Sequence, residues 1–247
     1  MSRKYQGPLR FVAGGNAKLS ADVLTFSLPA GYSCPCAKDC LAKADIDTGR
    51  IVDGPDAEFR CYAATAEAFA PNVRAARHNH LKVLTAARTK SRMKELLLDS
   101  LDPRWRTVRI HASGDFFNQA YFNAWVEATM ERPNTLFYGY TKSLRFWAKY
   151  LYQDLNEWPD NLKLTASFGG RDDHLIPRYG FCTAYVVGHP EEAEEMGLEI
   201  DHDDSHAMRA EEDFALLIHG TQPAGSEAAK KILRLKRENV DYSYSKK

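Results

Sequence analysis

Four of the five cysteines fall within 28 residues, three of them in Cys34-Pro35-Cys36-Ala37-Lys38-Asp39-Cys40 and one in Phe59-Arg60-Cys61-Tyr62-Ala63; Cys182 lies far off in the chain. Thiolates are soft ligands, and cysteines grouped this way in an enzyme-sized chain favour a metal over a disulfide. The spacing is not the paired CxxC of a zinc ribbon, and no nearby histidine completes a finger. It supports a cubane [4Fe–4S] cluster held by Cys34, Cys40 and Cys61, with Cys36 and Cys182 as further candidate ligands and structural zinc as the competing centre. Beside an apolar strand, Cys182 reads equally well as a buried core thiol. Between Cys40 and Cys61, the segments Asp47-Thr48-Gly49 and Asp53-Gly54-Pro55-Asp56 predict turns. A hairpin or irregular excursion there would return Cys61 to the other two.

Acid–base groups gather at the ends of apolar runs. One run ends in His111-Ala112-Ser113-Gly114-Asp115 and the next in Tyr140-Thr141-Lys142-Ser143; later ones end in Ser167-Phe168-Gly169-Gly170 and His219-Gly220-Thr221-Gln222. Recurrence at equivalent positions points to one pocket for a small-molecule substrate. Its candidate catalytic residues are His111, Ser113, Asp115, Tyr140, Lys142 and His219. An open iron would act as a Lewis acid while His111, Asp115 or His219 exchanges protons, which is hydrolase or lyase chemistry.

The elements that must position these groups are legible as alternating patterns. Residues 23–28, 107–112, 135–140, 162–167, 184–187 and 214–219 read as buried parallel strands. Residues 118–130 and 144–155 read as amphipathic helices between them. The fold class expected is α/β: a partial (βα)6 TIM-like barrel forming a single domain over residues 1–247. A cysteine-rich insertion, 29–66, follows the first strand, and a helix within 224–240, with Ala229, Ile232, Leu233 and Leu235 inward, seals the barrel. Two further features stand apart. Asp201-His202-Asp203-Asp204-Ser205-His206 reads either as a solvated acidic loop or as a divalent-cation site, with Ser205 capping a helix over 207–213. Gly14-Gly15-Asn16 reads as a turn.

The cysteine segments, together with Asp53-Gly54-Pro55, His111-Ala112-Ser113-Gly114-Asp115-Phe116-Phe117 and Ile218-His219-Gly220-Thr221-Gln222-Pro223, resemble the bacteriophage family called gene product eighty-eight over almost the whole chain. That resemblance implies a phage protein working in the cytoplasm of the bacterial host. More distantly, the plan is similar to radical S-adenosylmethionine enzymes, whose partial barrels hold a [4Fe–4S] cluster in the loop after the first strand. The likeness implies S-adenosylmethionine as a cofactor, with Ser113, Gly114 and Asp115 contacting it. The spacing departs from theirs, since Cys61 lies about twenty residues beyond Cys40.

Charge gives no overall pull toward a polyanion, with 33 basic and 33 acidic side chains. It is segregated, however: Arg74, Arg77, Lys82, Arg88, Lys90, Arg92 and Lys94 accumulate with no acid between Glu67 and Glu95. This basic segment, 74–94, is a candidate nucleic-acid face, although a solvated helix surface is the commoner meaning of such a run. It supports the competing function class, a zinc-stabilised module that binds nucleic acid or a host protein without catalysis. No run approaches the roughly 18 apolar residues of a membrane span, so no membrane partner is expected.

Overall fold

Six runs rich in β-branched and aromatic residues become six parallel neighbours. The computed structural model describes residues 8–14, 19–152 and 157–242. Its strands are β1 (Val12–Ala13), β2 (Val23–Ser27), β3 (Ala42–Ala44), β4 (Ile51–Asp53), β5 (Thr107–Ser113), β6 (Leu136–Thr141), β7 (Leu162–Ser167), β8 (Thr183–Val187), β9 (Glu199–Ile200) and β10 (Phe214–Leu217). Its helices are α1 (Tyr62–Phe69), α2 (Pro71–Ala87), α3 (Lys90–Ser100), α4 (Gln119–Met130), α5 (Leu144–Tyr152), α6 (Leu175–Tyr179), α7 (Pro190–Glu195), α8 (Ser205–Arg209) and α9 (Glu227–Arg237). The helix expected over 144–155 runs beyond Tyr152 into residues outside those described, as does the Gly14-Gly15-Asn16 turn beyond Gly14.

The main sheet has eight strands in the order β1-β2-β5-β6-β7-β8-β10-β9. β1 pairs antiparallel with β2, and the other neighbours pair parallel. From β2 to β10 the strands follow chain order, with none of the reversal that marks a doubly wound sheet. The sheet is open: among the described strands nothing pairs β1 with β9.

Both faces are covered, which is why these strands carry near-continuous apolar runs. Leu24, Phe26, Val108, Ile110 and Phe137 pack against Leu84, Met93, Leu97, Tyr121, Phe122 and Trp125 from α2, α3 and α4. On the other face Tyr138 and Phe214 pack with Ala207 of α8. Asn118 caps α4, its Oδ1 accepting from Tyr121 N at 2.8 Å.

The excursion after β2 is the antiparallel hairpin β3–β4, with Ala42 opposite Asp53. Asp45 holds its turn, accepting from Thr48 N at 2.8 Å and Thr48 Oγ1 at 2.7 Å, and Gly49 supplies a φ of +71°. α1 then begins at Tyr62, directly after Cys61. At the other end, Ser226 caps α9 by accepting from Ala229 N at 3.1 Å. Its buried face is Ala228, Ile232 and Leu235; Leu233, expected inward, is half exposed because the stripe follows 228, 232 and 235.

Candidate metal and substrate site

A cavity of about 990 Å³ opens at the carboxyl ends of the parallel strands. Its wall takes Ala112 to Asp115 from the end of β5 onward, Tyr140 to Lys142 at the end of β6, Ser167 of β7 and Leu217 to Gln222 from the end of β10 onward. Cys34, Cys40 and Cys61 line the same space. The cysteine loop is stitched to the end of β7: Asp39 N donates to Gly169 O at 3.0 Å and Arg171 N to Cys36 O at 2.9 Å. Gly114, at a φ of +82°, lets the end of β5 close on this loop, since a Cβ there would stand 2.5 Å from Ser33 Oγ.

Burial pushes the thiols of Cys34 and Cys61 up, and that of Cys40 up to about 12. Cys34 and Cys40 also feel the charges of Asp115 and of the other cysteines, while the Lys142 ammonium works in the opposite direction on Cys40. The sulfur of Cys61 faces the N–H groups of Ala63 and Ala64 in the first turn of α1, which oppose its upward shift. Such thiols keep their protons at neutral pH unless a cation takes the charge. As the side chains stand, no three His, Cys, Asp or Glu groups among the described residues are arranged to hold a metal ion.

The two further candidate ligands point elsewhere. The turn after Cys34 directs Cys36 away from the cavity to Asp172, itself held by Arg145 at 2.6 and 2.7 Å, and burial pushes the Cys36 thiol up to about 12. Cys182 precedes β8 at the amino end of the sheet, opposite the mouth; its Sγ donates to Glu212 O at 3.0 Å, and burial raises its thiol to about 11.

Among the candidate catalytic groups, Asp115 is buried and accepts from Thr141 Oγ1 at 2.6 Å, Lys142 N at 2.9 Å and Phe116 N at 2.7 Å. Desolvation raises its carboxyl in spite of those donors. Lys142 Nζ donates to Ser167 O at 3.0 Å and to Phe168 O. Ser113 Oγ donates to Glu67 Oε1 at 3.1 Å, and Tyr140 OH to Asp204 Oδ1 at 3.1 Å. His219 packs its ring on Tyr62 at 4.8 Å, with Nδ1 3.0 Å from Leu217 O. His111 belongs to the cavity wall, but its ring is sunk among Phe26, Phe116, Tyr121 and Trp125. Burial lowers that imidazole to about 3, so it is neutral over the ordinary pH range.

Three residues central to the site were not among those singled out. Glu67 on α1 is fully buried; its Oε1 accepts from Ala30 N at 3.0 Å and Arg77 Nη1 at 2.8 Å as well as from Ser113. Tyr62 OH donates to Ala112 O. Arg109, in the middle of β5, forms a buried pair with Asp204 at 2.7 Å, stacks 5.2 Å from the Tyr140 ring, and lies on the cavity floor. Burial works against its charge, but Asp204 and the surrounding tyrosines outweigh that and raise its pKa. The signals were present: a charge inside an otherwise apolar strand, and a lone acid at the start of an acid-free stretch.

Asp204 corrects a further expectation. The 201–206 segment is not a solvated acidic loop, since Asp201 and Asp204 are both 1% exposed. Asp204 joins Arg109, Tyr138 and Tyr140 instead, and α8 is capped without a side-chain bond from Ser205. The basic segment 74–94 is likewise engaged. Arg74 donates to Ile46 O and Glu67 O, Arg77 pairs with Glu67, Lys90 and Lys94 pair with Glu127, and Arg92 pairs with Glu95. Those bonds engage five of the seven basic side chains, and their carboxylates offset part of the charge that a nucleic acid would meet. No helix among the described residues is long and apolar enough to cross a membrane.

No curated protein and no solved structure matches this chain, so the likeness to radical S-adenosylmethionine enzymes has no support from a relative. Residues 6–237 match the family described as Gene product 88, and the chain belongs to that phage family.

Proposed function

We propose that this protein is an iron–sulfur enzyme of the phage-infected host cytoplasm, built on a partial (βα)6 barrel, with a [4Fe–4S] cluster on Cys34, Cys40 and Cys61 and a small-molecule substrate in the cavity beside it. The observation that carries this reading is that those three thiols border one cavity at the strands' carboxyl ends and lie near enough to feel one another's charge. When bound, such a cluster would leave one iron without a protein thiolate, open to a cofactor or a substrate oxygen. A cluster shares its thiolates among different irons. Its ligands therefore need not crowd round one point, which suits three cysteines that border one cavity without forming a single-ion group.

The chain's own residues supply the rest. Lys142, fixed by two carbonyls, offsets thiolate charge near Cys40. Asp115, locked by three donors and desolvated, is the group best placed to hold a proton at the mouth. S-adenosylmethionine would lie against Ser113, Gly114 and Asp115. Two of those side chains already serve Glu67 and Thr141, so backbone groups would carry much of its recognition.

Metal and acid-labile sulfide content of protein purified without oxygen tests the proposal. Iron and sulfide in comparable amounts are expected in the wild type, Cys36→Ala and Cys182→Ala, and should be lost in Cys61→Ala. Stoichiometric zinc without sulfide would overturn it.

A further inference from the structure

We infer that the cavity takes an amphipathic carboxylate, its anionic head held by Arg109 on the floor and its apolar body lying against Val186, Leu216, Ile218, Ile232 and Leu233. This names a substrate class for the site proposed above and rests on that cavity being a substrate pocket.

The head site follows from how little of Arg109 is used. A guanidinium offers five donors in a fixed fork. Among the described residues only Nη1 has an acceptor, Asp204 Oδ2 at 2.7 Å, and the buried Nε has none. Nη2 has no acceptor among the described residues and belongs to a side chain that lines the cavity. Leaving donors of a buried cation unpaired costs stability, so a fork in this state is suited to an incoming acceptor. Asp204 does not claim the whole field, because its carboxylate also receives the hydroxyls of Tyr138 and Tyr140 at 3.1 Å each. Lys142 adds a second positive charge to the cavity lining, bonded to carbonyls.

The body site follows from the asymmetry of the cavity. The ends of β5, β6 and β7 line it with polar groups, whereas β8, β10 and α9 contribute mainly aliphatic side chains, with Lys236 of α9 and His219 and Gln222 after β10 among their polar members. About 990 Å³ is far more than a bare carboxylate or phosphate fills and lies at the upper end of small-ligand pockets. A purely polar ligand would leave the aliphatic wall wet. A purely apolar one would leave the guanidinium unsatisfied.

Isothermal titration with octanoate, octanol, octylammonium and acetate tests this. Octanoate should bind one per chain, at least tenfold more tightly than each of the others, and Arg109→Gln should weaken it at least tenfold. Because that change strands Asp204, the paired variant Arg109→Gln/Asp204→Asn is titrated as well, with the same loss expected. Ile232→Asp on α9 should weaken octanoate without raising acetate affinity. No octanoate binding, equal binding of octanol, or an unchanged affinity in the paired variant would overturn the inference. Titrating Cys61→Ala separates the two proposals. Octanoate bound by wild-type protein that carries no iron would sink the cluster and leave the anion site standing.

Discussion

His111 shows how a residue type can point to one chemistry while its surroundings select another. It follows the polar-end pattern of β5, yet at a φ of +61° its ring lies in the aromatic layer, with Tyr121 OH at 3.0 Å as its one hydrogen-bonding neighbour among the described residues. Its folded pKa of about 3 lies below the ordinary 6.5, so the unfolded chain binds more protons between those values. The stability it contributes is complete above 6.5 and is lost as pH falls toward 3, by about 1.4 kcal/mol per pH unit. His111→Asn, which tolerates a positive φ, should flatten acid unfolding followed by circular dichroism across that window. A variant with the wild-type slope would place the imidazole outside the core. Spacing alone marked Cys34, Cys40 and Cys61, because chemistry fixes which residue types can hold soft metals. The same spacing says nothing about Arg109 and Asp204, which are 95 positions apart and meet through the packing of α8 on β6 and β7.

At the scale of elements, Glu67 makes one joint of four. From α1 it takes the loop after β2 through Ala30, the end of β5 through Ser113 and α2 through Arg77. Removing it strands a largely buried guanidinium, so Glu67→Ala should cost about 3 kcal/mol in urea unfolding. A loss below about 1 kcal/mol would show that the joint carries little of the fold's stability. The six central strands were legible because burial on both faces demands β-branched and aromatic runs, and α4 was legible from its Asn118 cap. β1 and β9 have two residues each and α6 and α8 five, too few for a period to register. Such pieces are held by neighbours rather than by their own sequence.

Across the whole molecule, the loops do what the sheet does not. In a flat sheet five steps of about 4.8 Å would put β2 and β10 roughly 24 Å apart. Yet the segment leading into α1 meets the loop after β10 directly: Arg60 N donates to Gln222 Oε1 at 2.7 Å, Gln222 Nε2 donates to Arg60 O at 3.1 Å, and the Tyr62 ring packs at a tilt against His219. Gln222→Ala should therefore raise deuterium exchange at Arg60 and its neighbours by an order of magnitude or more while leaving β5 and β6 protected. Unchanged exchange there would mean that the two loops stay closed without this clasp. Parallel strands in chain order and an early cysteine loop could be read from the sequence. The clasp joins residues 162 positions apart and carries no local pattern.

That clasp also sets an order of events. Cys34, Cys40 and Cys61 leave the ribosome well before Gln222 and α9, and domains are made from the amino terminus onward. During synthesis the three thiols therefore stand in a pocket that still lacks the residues of the loop after β10 and of α9. A cluster of the kind proposed would meet its three ligands in a growing chain that has not yet made the Gln222 clasp, whereas in the finished chain the loop after β10 already borders them.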